Sequence, residues 1–225
     1  MSEEPRRRLP IFPLPGVVLL PETTLPLHIF EPRYRQMLAD ALGADQLIGI
    51  QLLKPGRELD EEGRPAVFAV GCAGRIVEHE ALEDGRSNIL LRGVFRYRIA
   101  AELVAGGPYR VADVVPISLA PLEEAPAGAP SRRDLRGQLV RSVEHLAVAV
   151  GRPQAKGLGP GLSDEALVNE ALSRLGLDAD DGYKVLTMNR LEERYAWAVS
   201  HIAGVQARVD LLAPYRRGDG DPRWN

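Results

Sequence analysis

The side chains that could carry out chemistry are few and scattered along this chain of 225 residues. The only cysteine, Cys72, excludes an internal disulfide and any zinc or iron–sulfur site built from several cysteines. Because Cys72 follows the apolar run at 67–71, we interpret it as a small buried residue. We predict no metal site, since metal-ligand spacing is lacking among the four histidines, which are His28, His79, His145 and His201.

Motifs for nucleotide binding and nucleophilic catalysis are not found in the sequence. The segment GLGPG at 157–161 lacks the lysine of a phosphate-binding loop and carries a proline where a backbone N–H would be needed. No GxSxG elbow occurs, and none of the three lysines lies in an SxxK context. We therefore predict no catalytic residue and no cofactor. A hydrolase with an unrecognised site remains open, and a clustered serine, histidine and acid would favour it.

The charge balance argues against a strong general attraction to nucleic acid or anionic lipid. The chain has 28 lysines and arginines against 31 acidic residues, which gives a net charge of −3. Arg92, Arg96 and Arg98 could form a basic stripe, but aromatic residues make up only 5% of the chain. We interpret these arginines as a water-facing side of a strand and do not expect nucleic acid as a partner.

The N-terminal segment resembles a signal peptide only superficially. Arg6–Arg8 precede an apolar stretch at 11–20, but Pro10, Pro13, Pro15 and Pro21 would break a helix there. No stretch of 18 apolar residues occurs, so we predict no membrane span. The single cysteine fits a reducing compartment, and we predict a cytoplasmic location.

The elements that must position any site begin with a β-rich first half. Apolar or alternating runs predict strands at 17–20, 25–30, 47–53, 66–72, 75–80, 88–91, 95–99 and 109–117. Asp84-Gly85 predicts a hairpin turn before the strand at 88–91. A single helix is predicted between Pro32 and Gly43, with Glu31 as its cap. Short strands separated by Gly and Pro favour a small closed or nearly closed sheet.

The second half follows a helical pattern after a Pro/Ala-rich segment. Ser131 with Asp134, and then Ser163, predict two helix N-termini. A short helix is predicted at 180–188 and a long one to Leu212, with Asn189 as its cap. We predict a β-rich subdomain at 1–118, a linker at 119–130, a helical subdomain at 131–213 and a flexible tail at 214–225.

Four segments, in this order, carry a resemblance to a known family. They are LPIFPLPGVVLLP at 9–21, LPLHIFEPRY at 25–34, VGCAGRI at 70–76 and LLRGVFRYRI at 90–99. Together they resemble the N-terminal substrate-binding domain of the Lon ATP-dependent proteases. The resemblance implies an α+β fold, with an N-terminal β-rich PUA-like pseudo-barrel followed by a C-terminal helical bundle subdomain.

The resemblance also implies a function, which is the non-catalytic binding of unfolded or specific polypeptides. The ATPase and Ser–Lys protease modules of Lon have no counterpart here, so we expect a stand-alone member without either activity. An adaptor role in protein quality control is one implied use. Whether the chain works with an ATP-dependent protease stays open, and a PUA-like RNA-binding module is the alternative. The candidate polypeptide-binding residues are His28, Phe30, Arg33, Tyr34, Arg92 and Phe95.

Overall fold

The computed structural model describes residues 6–56, 59–60, 63–103, 107–120, 130–150, 158 and 161–212. In these residues, the strands lie in the first half of the chain and most of the helices in the second half. The first half contains β1 (Arg7–Leu14), β2 (Thr24–Ile29), α1 (Pro32–Leu42), β3 (Leu47–Leu52), β4 (Val70–Ala81), β5 (Ser87–Leu103) and β6 (Arg110–Ile117). The second half contains α2 (Arg132–Ala149), α3 (Asp164–Ser173), α4 (Ala179–Thr187) and α5 (Leu191–Leu212). The predicted α+β class is confirmed.

The six strands form one sheet that closes on itself. Their order is β2-β5-β4-β3-β1-β6, and β6 also pairs with β5, so all strands except β2 complete a barrel. β1 and β3 run parallel, and the other pairs are antiparallel. Core side chains from five strands fill the barrel; they are Leu9, Ile11, Leu47, Ala73, Tyr97, Ala112 and Val114. The predicted β-rich pseudo-barrel is confirmed.

Two long strands replace four of the short strands predicted from the sequence. The runs at 75–80 and 88–91 belong to β4 and β5, which continue through the runs at 70–72 and 95–99. The β4–β5 register shifts between Ala73 and Gly74 and again between Ile76 and Glu78. Such bulges bend a strand without ending its pairing, so they let two long strands curve around the barrel.

The strand predicted at 17–20 is wrong, because these residues form a loop between β1 and β2. Leu19 and Leu20 are nevertheless buried, and the Leu20 carbonyl accepts hydrogen bonds from the N–H and the hydroxyl of Thr23, at 3.3 and 2.9 Å. Glu22 has a φ of 66°, which an extended strand does not allow. The apolar run therefore fills the core from a turn.

Helix α1 starts at Pro32 and ends before Gly43, as predicted. Its buried side chains recur at helical spacing and pack beneath the strands; they are Tyr34, Met37, Leu38 and Ala41. Glu31 occupies the N-cap position, but its side chain makes no capping hydrogen bond. The Glu31 carboxylate instead accepts a hydrogen bond of 2.9 Å from Arg33 Nε. The predicted cap position is thus confirmed, but capping by the Glu31 side chain is not.

The chain divides into two compact units. The first comprises residues 1–120 and 176–189, and the second comprises 121–175 and 190–225. Helix α4 thus belongs to the unit that contains the sheet, where the Tyr183 ring lies 4.3 Å from the Phe68 ring. The four-part division predicted from composition stays a prediction, and its segments 121–129 and 214–225 lie outside the described residues.

The second unit is built from α2, α3 and α5. The predicted capping box of Ser131 and Asp134 is confirmed, and the Ser163 side chain accepts a hydrogen bond from the Ala166 N–H at 3.1 Å. Arg194 is 0% exposed and donates to Glu165 at 3.1 Å and to Asn169 at 3.2 Å. Within the described residues, no helix is both long enough and apolar enough to cross a membrane.

Candidate functional site

A groove of about 540 Å³ lies in the first unit, between the ends of β1 and β2 and the N-terminus of α1. β1 ends beside it at Leu14, and β2 ends beside it at Ile29, three residues before α1 begins at Pro32. Apolar and aromatic side chains supply much of its lining; they include Phe12, Leu27, Phe30, Tyr34, Pro65 and Tyr109. Such a lining suits an apolar side chain from a partner.

Two aromatic rings in contact, tilted against each other, form part of the groove. Tyr34 on α1 is buried, and its ring centroid lies 4.2 Å from that of Phe12 at an interplanar angle of 40°. Burial raises the pKa of the Tyr34 hydroxyl, so this side chain is neutral at physiological pH. The Arg33 guanidinium lies 4.6 Å from the Tyr34 ring centroid and is paired with the Glu31 carboxylate at 2.8 Å. The charge of Arg33 is therefore already compensated.

Phe30 and His28 form the exposed side of the groove. The Phe30 side chain is 59% exposed, and its ring lies 6.1 Å from the His28 ring. The His28 Nδ1 lies 2.8 Å from the side-chain amide oxygen Oδ1 of Asn88, which can only accept, so Nδ1 donates. His28 Nε2 then faces the Arg86 guanidinium at 3.4 Å. These contacts fix the imidazole, while Phe30 leaves a large apolar surface in water.

Tyr109 and Arg110, which also line the groove, make polar contacts to α1, β5 and a loop. The Tyr109 hydroxyl donates to Asp40 at 2.6 Å, and burial together with this hydrogen bond raises the pKa of Tyr109 to about 12. Arg110 pairs with Asp60 at 3.2 Å and with Glu102. Because carboxylates neutralise these cations, the groove has no strong preference for an anionic ligand.

Four of the six predicted site residues line this groove, namely His28, Phe30, Arg33 and Tyr34. Arg92 and Phe95 lie elsewhere on the first unit. Arg92 forms an ion pair of 2.6 Å with Glu22, and Phe95 packs against the barrel core with Arg7 5.4 Å from its ring centroid. The structure thus brings one part of the predicted set together in a single place.

The predicted water-facing stripe of arginines is wrong at Arg96. This side chain is 2% exposed and donates from one nitrogen to the Leu186 and Met188 carbonyls at 2.9 and 3.0 Å. The same nitrogen donates to the Asn189 side-chain oxygen at 3.1 Å. Helix α5 begins at Leu191, so Arg190 directly precedes it and Asn189 does not occupy the predicted cap position. Helix α4 covers this face of β5, and its C-terminal carbonyls need donors. Arg92, Arg96 and Arg98 therefore do not form a continuous basic surface.

Sequence reasoning missed several groove residues. Phe12 and Leu27 lie within the family-like segments, which was the available signal. Pro65 and Tyr109 come from loops, where no periodicity indicates which side chains meet.

The polar groups of the first unit do not form a recognisable catalytic set. Among the described residues, no cluster of three or more His, Cys, Asp or Glu side chains could hold a metal ion. His79 Nε2 lies 3.3 Å from the Ser87 hydroxyl, but no carboxylate in the described ranges hydrogen-bonds to His79 as the third member of a triad would. The predicted buried state of Cys72 is confirmed. The groove offers apolar contact and hydrogen bonding.

Comparisons with known proteins agree with this architecture. The family model of the ATP-dependent protease La (LON) substrate-binding domain matches residues 8–204. Lon protease 2 of Bdellovibrio bacteriovorus is 26% identical over 196 residues, which are 83% of this chain and 23% of that protein. Lon protease of Escherichia coli strain K12 is 31% identical over 96 residues, which are 43% of this chain and 12% of that protein. The chain therefore spans less than a quarter of the length of these relatives.

Two solved structures share the fold. The N-terminal domain of the Mycobacterium avium complex Lon protease matches with a TM-score of 0.64 and 14% identity, over 88% of this chain and 98% of that one. The Lon N-terminal domain protein from Xanthomonas campestris matches with a TM-score of 0.59 and 23% identity, over 86% and 98% of the two chains. At these identities, the likeness establishes the fold.

Proposed function

This chain belongs to the family of the LON substrate-binding domain, and from that membership we propose that it is a polypeptide-binding module whose site is the groove beside β2 and α1. The observation that carries the proposal is the Phe30 side chain, which is 59% exposed at the edge of an apolar groove. A large aromatic surface left in water next to a preformed cavity is typical of a site that a partner covers.

The groove chemistry supports a polypeptide over a charged small ligand. Arg33, Arg64 and Arg110 each have a carboxylate partner, at 2.8, 2.9 and 3.2 Å respectively. The aromatic surfaces of Phe12, Tyr34 and Phe30 remain as the main source of binding energy. Apolar side chains exposed by unfolded polypeptides gain about 25 cal/mol per Å² of apolar surface that such a groove removes from water.

We further propose that the module binds without catalysis and acts as an adaptor in protein quality control, in the cytoplasm. The support is that the matched family is a substrate-binding domain and that the named relatives are Lon proteases. Cooperation with an ATP-dependent protease belongs to the same proposal. The buried single Cys72 is compatible with a reducing compartment.

The experiment is a titration of a fluorescently labelled, permanently unfolded polypeptide with the wild-type protein and with Phe30→Ala. Because the Phe30 ring would be covered on binding, we expect the variant to bind roughly tenfold more weakly. Val77→Ala is the matched control, since Val77 is 46% exposed on β4 and does not line the groove. Affinity in the control should stay within about twofold of the wild type.

Both variants should keep the wild-type unfolding midpoint, because each removes an exposed side chain. Equal affinities for the wild type and Phe30→Ala would show that the groove is not the site. Equal losses in both variants would point to general surface hydrophobicity instead.

A further inference from the structure

Strand β2 has a free edge beside the groove. Within the described ranges, β2 pairs with β5 alone and stands at the end of the strand order. Thr24, Pro26 and His28 are exposed, while Leu25, Leu27 and Ile29 are partly or fully buried. An unpaired strand edge presents backbone donors and acceptors that another extended chain can bind.

The hydrogen-bonding pattern shows which backbone groups point outward. The Gly93 N–H donates to the Thr23 carbonyl at 2.9 Å, and the Gly93 carbonyl accepts from the Glu22 N–H at 2.9 Å, so Thr23 directs its carbonyl toward β5. Antiparallel ladders alternate, so Leu25, Leu27 and Ile29 also point toward β5. Thr24, Pro26 and His28 therefore direct their backbone groups away from the sheet. Pro26 agrees with this assignment, because an outward position needs no N–H for the β5 ladder.

The outward groups have no partner in the described part of the chain. No described backbone or side-chain group hydrogen-bonds to the N–H of Thr24 or His28, or to the carbonyls of Thr24, Pro26 and His28. Two donors and three acceptors thus lie at alternate positions along the five residues from Thr24 to His28. This spacing matches an extended backbone and not a helix, whose own N–H and carbonyl groups are already paired.

The groove continues this edge. Four consecutive residues from Leu27 to Phe30 line the groove. Since neighbouring residues of a strand point to opposite faces, the groove follows the end of β2 and is not confined to one face of the sheet. On the opposite side it is lined by Phe12, Pro13 and Leu14 of β1. A strand added to β2 would direct every second side chain to the face that Leu27 and Ile29 share, and both of these residues line the groove.

We infer that the polypeptide is bound by strand addition: an extended segment with apolar residues at every second position pairs with the outer edge of β2 and places those residues in the groove. The inference rests on the proposed function and specifies its substrate class. Backbone hydrogen bonds supply an affinity that is independent of sequence, and the alternating apolar side chains select the segment.

The test uses a labelled nine-residue peptide of alternating valine and threonine flanked by lysines, together with two N-methylated versions of it. One version carries N-methyl groups on the valines and the other on the threonines. In an extended peptide the N–H groups of the two sets point to opposite edges. Only one set can therefore donate to the Thr24, Pro26 and His28 carbonyls.

We expect one N-methylated version to bind roughly tenfold more weakly than the parent, and the other to bind within about threefold of it. In the same samples, amide hydrogen exchange at Thr24 and His28 should slow when the parent peptide is bound. Exchange at Leu25 and Leu27, whose amides are already paired with β5, should change little.

Equal binding by both N-methylated versions, or equal loss in both, would overturn strand addition. Failure of the parent peptide to bind while an unfolded polypeptide binds in a Phe30-dependent manner would also overturn it, and would leave the groove as the site. Failure of every polypeptide to bind would instead overturn the proposed function.

Discussion

Two buried arginines hold helices in place from inside the two units. Arg96 on β5 donates to carbonyls at the C-terminal end of α4 and joins them to the sheet. The negative end of the helix dipole favours a cation at this place. Arg194 on α5 is 0% exposed and bonds to Glu165 and Asn169 of α3. In both cases, the guanidinium supplies a donor to a buried acceptor, which is the Leu186 carbonyl for Arg96 and the Asn169 side-chain oxygen for Arg194.

Replacing Arg96 by methionine should destabilise the protein by about 3 kcal/mol, because the buried Leu186 carbonyl and two less buried acceptors, of Met188 and Asn189, lose a charged donor. The measurement is the free energy of unfolding in urea. Arg98→Met, an exposed change two residues along the same strand, should cost less than about 0.5 kcal/mol. Similar losses in the two variants would contradict the role assigned to Arg96.

Asp164 makes the second unit sensitive to acid. Burial raises the pKa of its carboxyl, but hydrogen bonds from Arg136 and Tyr195 and the nearby charge of Arg132 lower it below the ordinary value of 3.8. A lowered folded-state pKa adds stability above the unfolded-state pKa, and this stability is lost as the pH falls below 3.8 through the folded-state pKa.

Asp164→Asn should therefore cost about 1–2 kcal/mol at pH 6, and the difference from the wild type should shrink below about pH 4. The check is urea unfolding of both proteins at several pH values between 6 and 3. Other acidic groups titrate in both proteins and cancel in the comparison. A difference that stays constant down to pH 3 would show that the ionisation of Asp164 does not contribute.

At the scale of elements, close packing inside the barrel depends on glycine in two neighbouring strands. The Tyr97 hydroxyl lies inside the barrel and donates to Gln51 Oε1 at 2.7 Å. A Cβ atom at Gly71 would lie 2.3 Å from Gln51 Oε1 and 2.7 Å from the Ile50 carbonyl oxygen. A Cβ atom at Gly49 would lie 2.5 Å from the Tyr97 hydroxyl. The buried Tyr97–Gln51 pair thus requires β3 and β4 to approach without side chains at these positions.

Gly71→Ala should destabilise the protein by about 2–3 kcal/mol, since the new methyl group meets backbone as well as the buried amide. Gly137→Ala on α2 is the matched control with the opposite sign. Its Cβ would meet only the flexible end of Arg141, and alanine should stabilise the helix by roughly 0.5–1 kcal/mol. Thermal or urea unfolding of each variant measures the change in its free energy of unfolding. A neutral Gly71→Ala would contradict the packing described for Tyr97.

The sequence predicted elements well where a local signal decided them. Ser131 with Asp134 predicted the start of α2, and Asp84-Gly85 predicted the β4–β5 turn. The sequence-based predictions failed where contacts between distant parts of the chain determine the structure. The alternation around Arg96 was read as one face in water, because nothing local shows that α4 covers that face. β1 was not predicted, because Pro10 and Pro13 argue against a strand although its register with β3 and β6 accommodates them.

At the scale of the whole molecule, each of the two compact units is built from two separate stretches of the chain. Residues 176–189 belong to the first unit, although helical segments of the second unit lie on both sides of them in the sequence. The composition of the sequence changes only once, at the Pro/Ala-rich segment. It therefore could not show that residues 176–189 belong with the first half of the chain. The same reasoning applies to the groove. His28, Phe30, Arg33 and Tyr34 were predicted because they share one family-like segment, whereas Tyr109 comes from a loop distant in sequence.

The most direct test of the central claim is site-specific photocrosslinking to an unfolded polypeptide. Benzoylphenylalanine is placed at position 30, at the edge of the groove, or at position 77, which is exposed on β4 outside it. We predict a crosslinked product from position 30 that an excess of unlabelled polypeptide competes away, and only background from position 77. Equal crosslinking from the two positions, or crosslinking from position 77 alone, would contradict the assignment of the groove as the polypeptide-binding site.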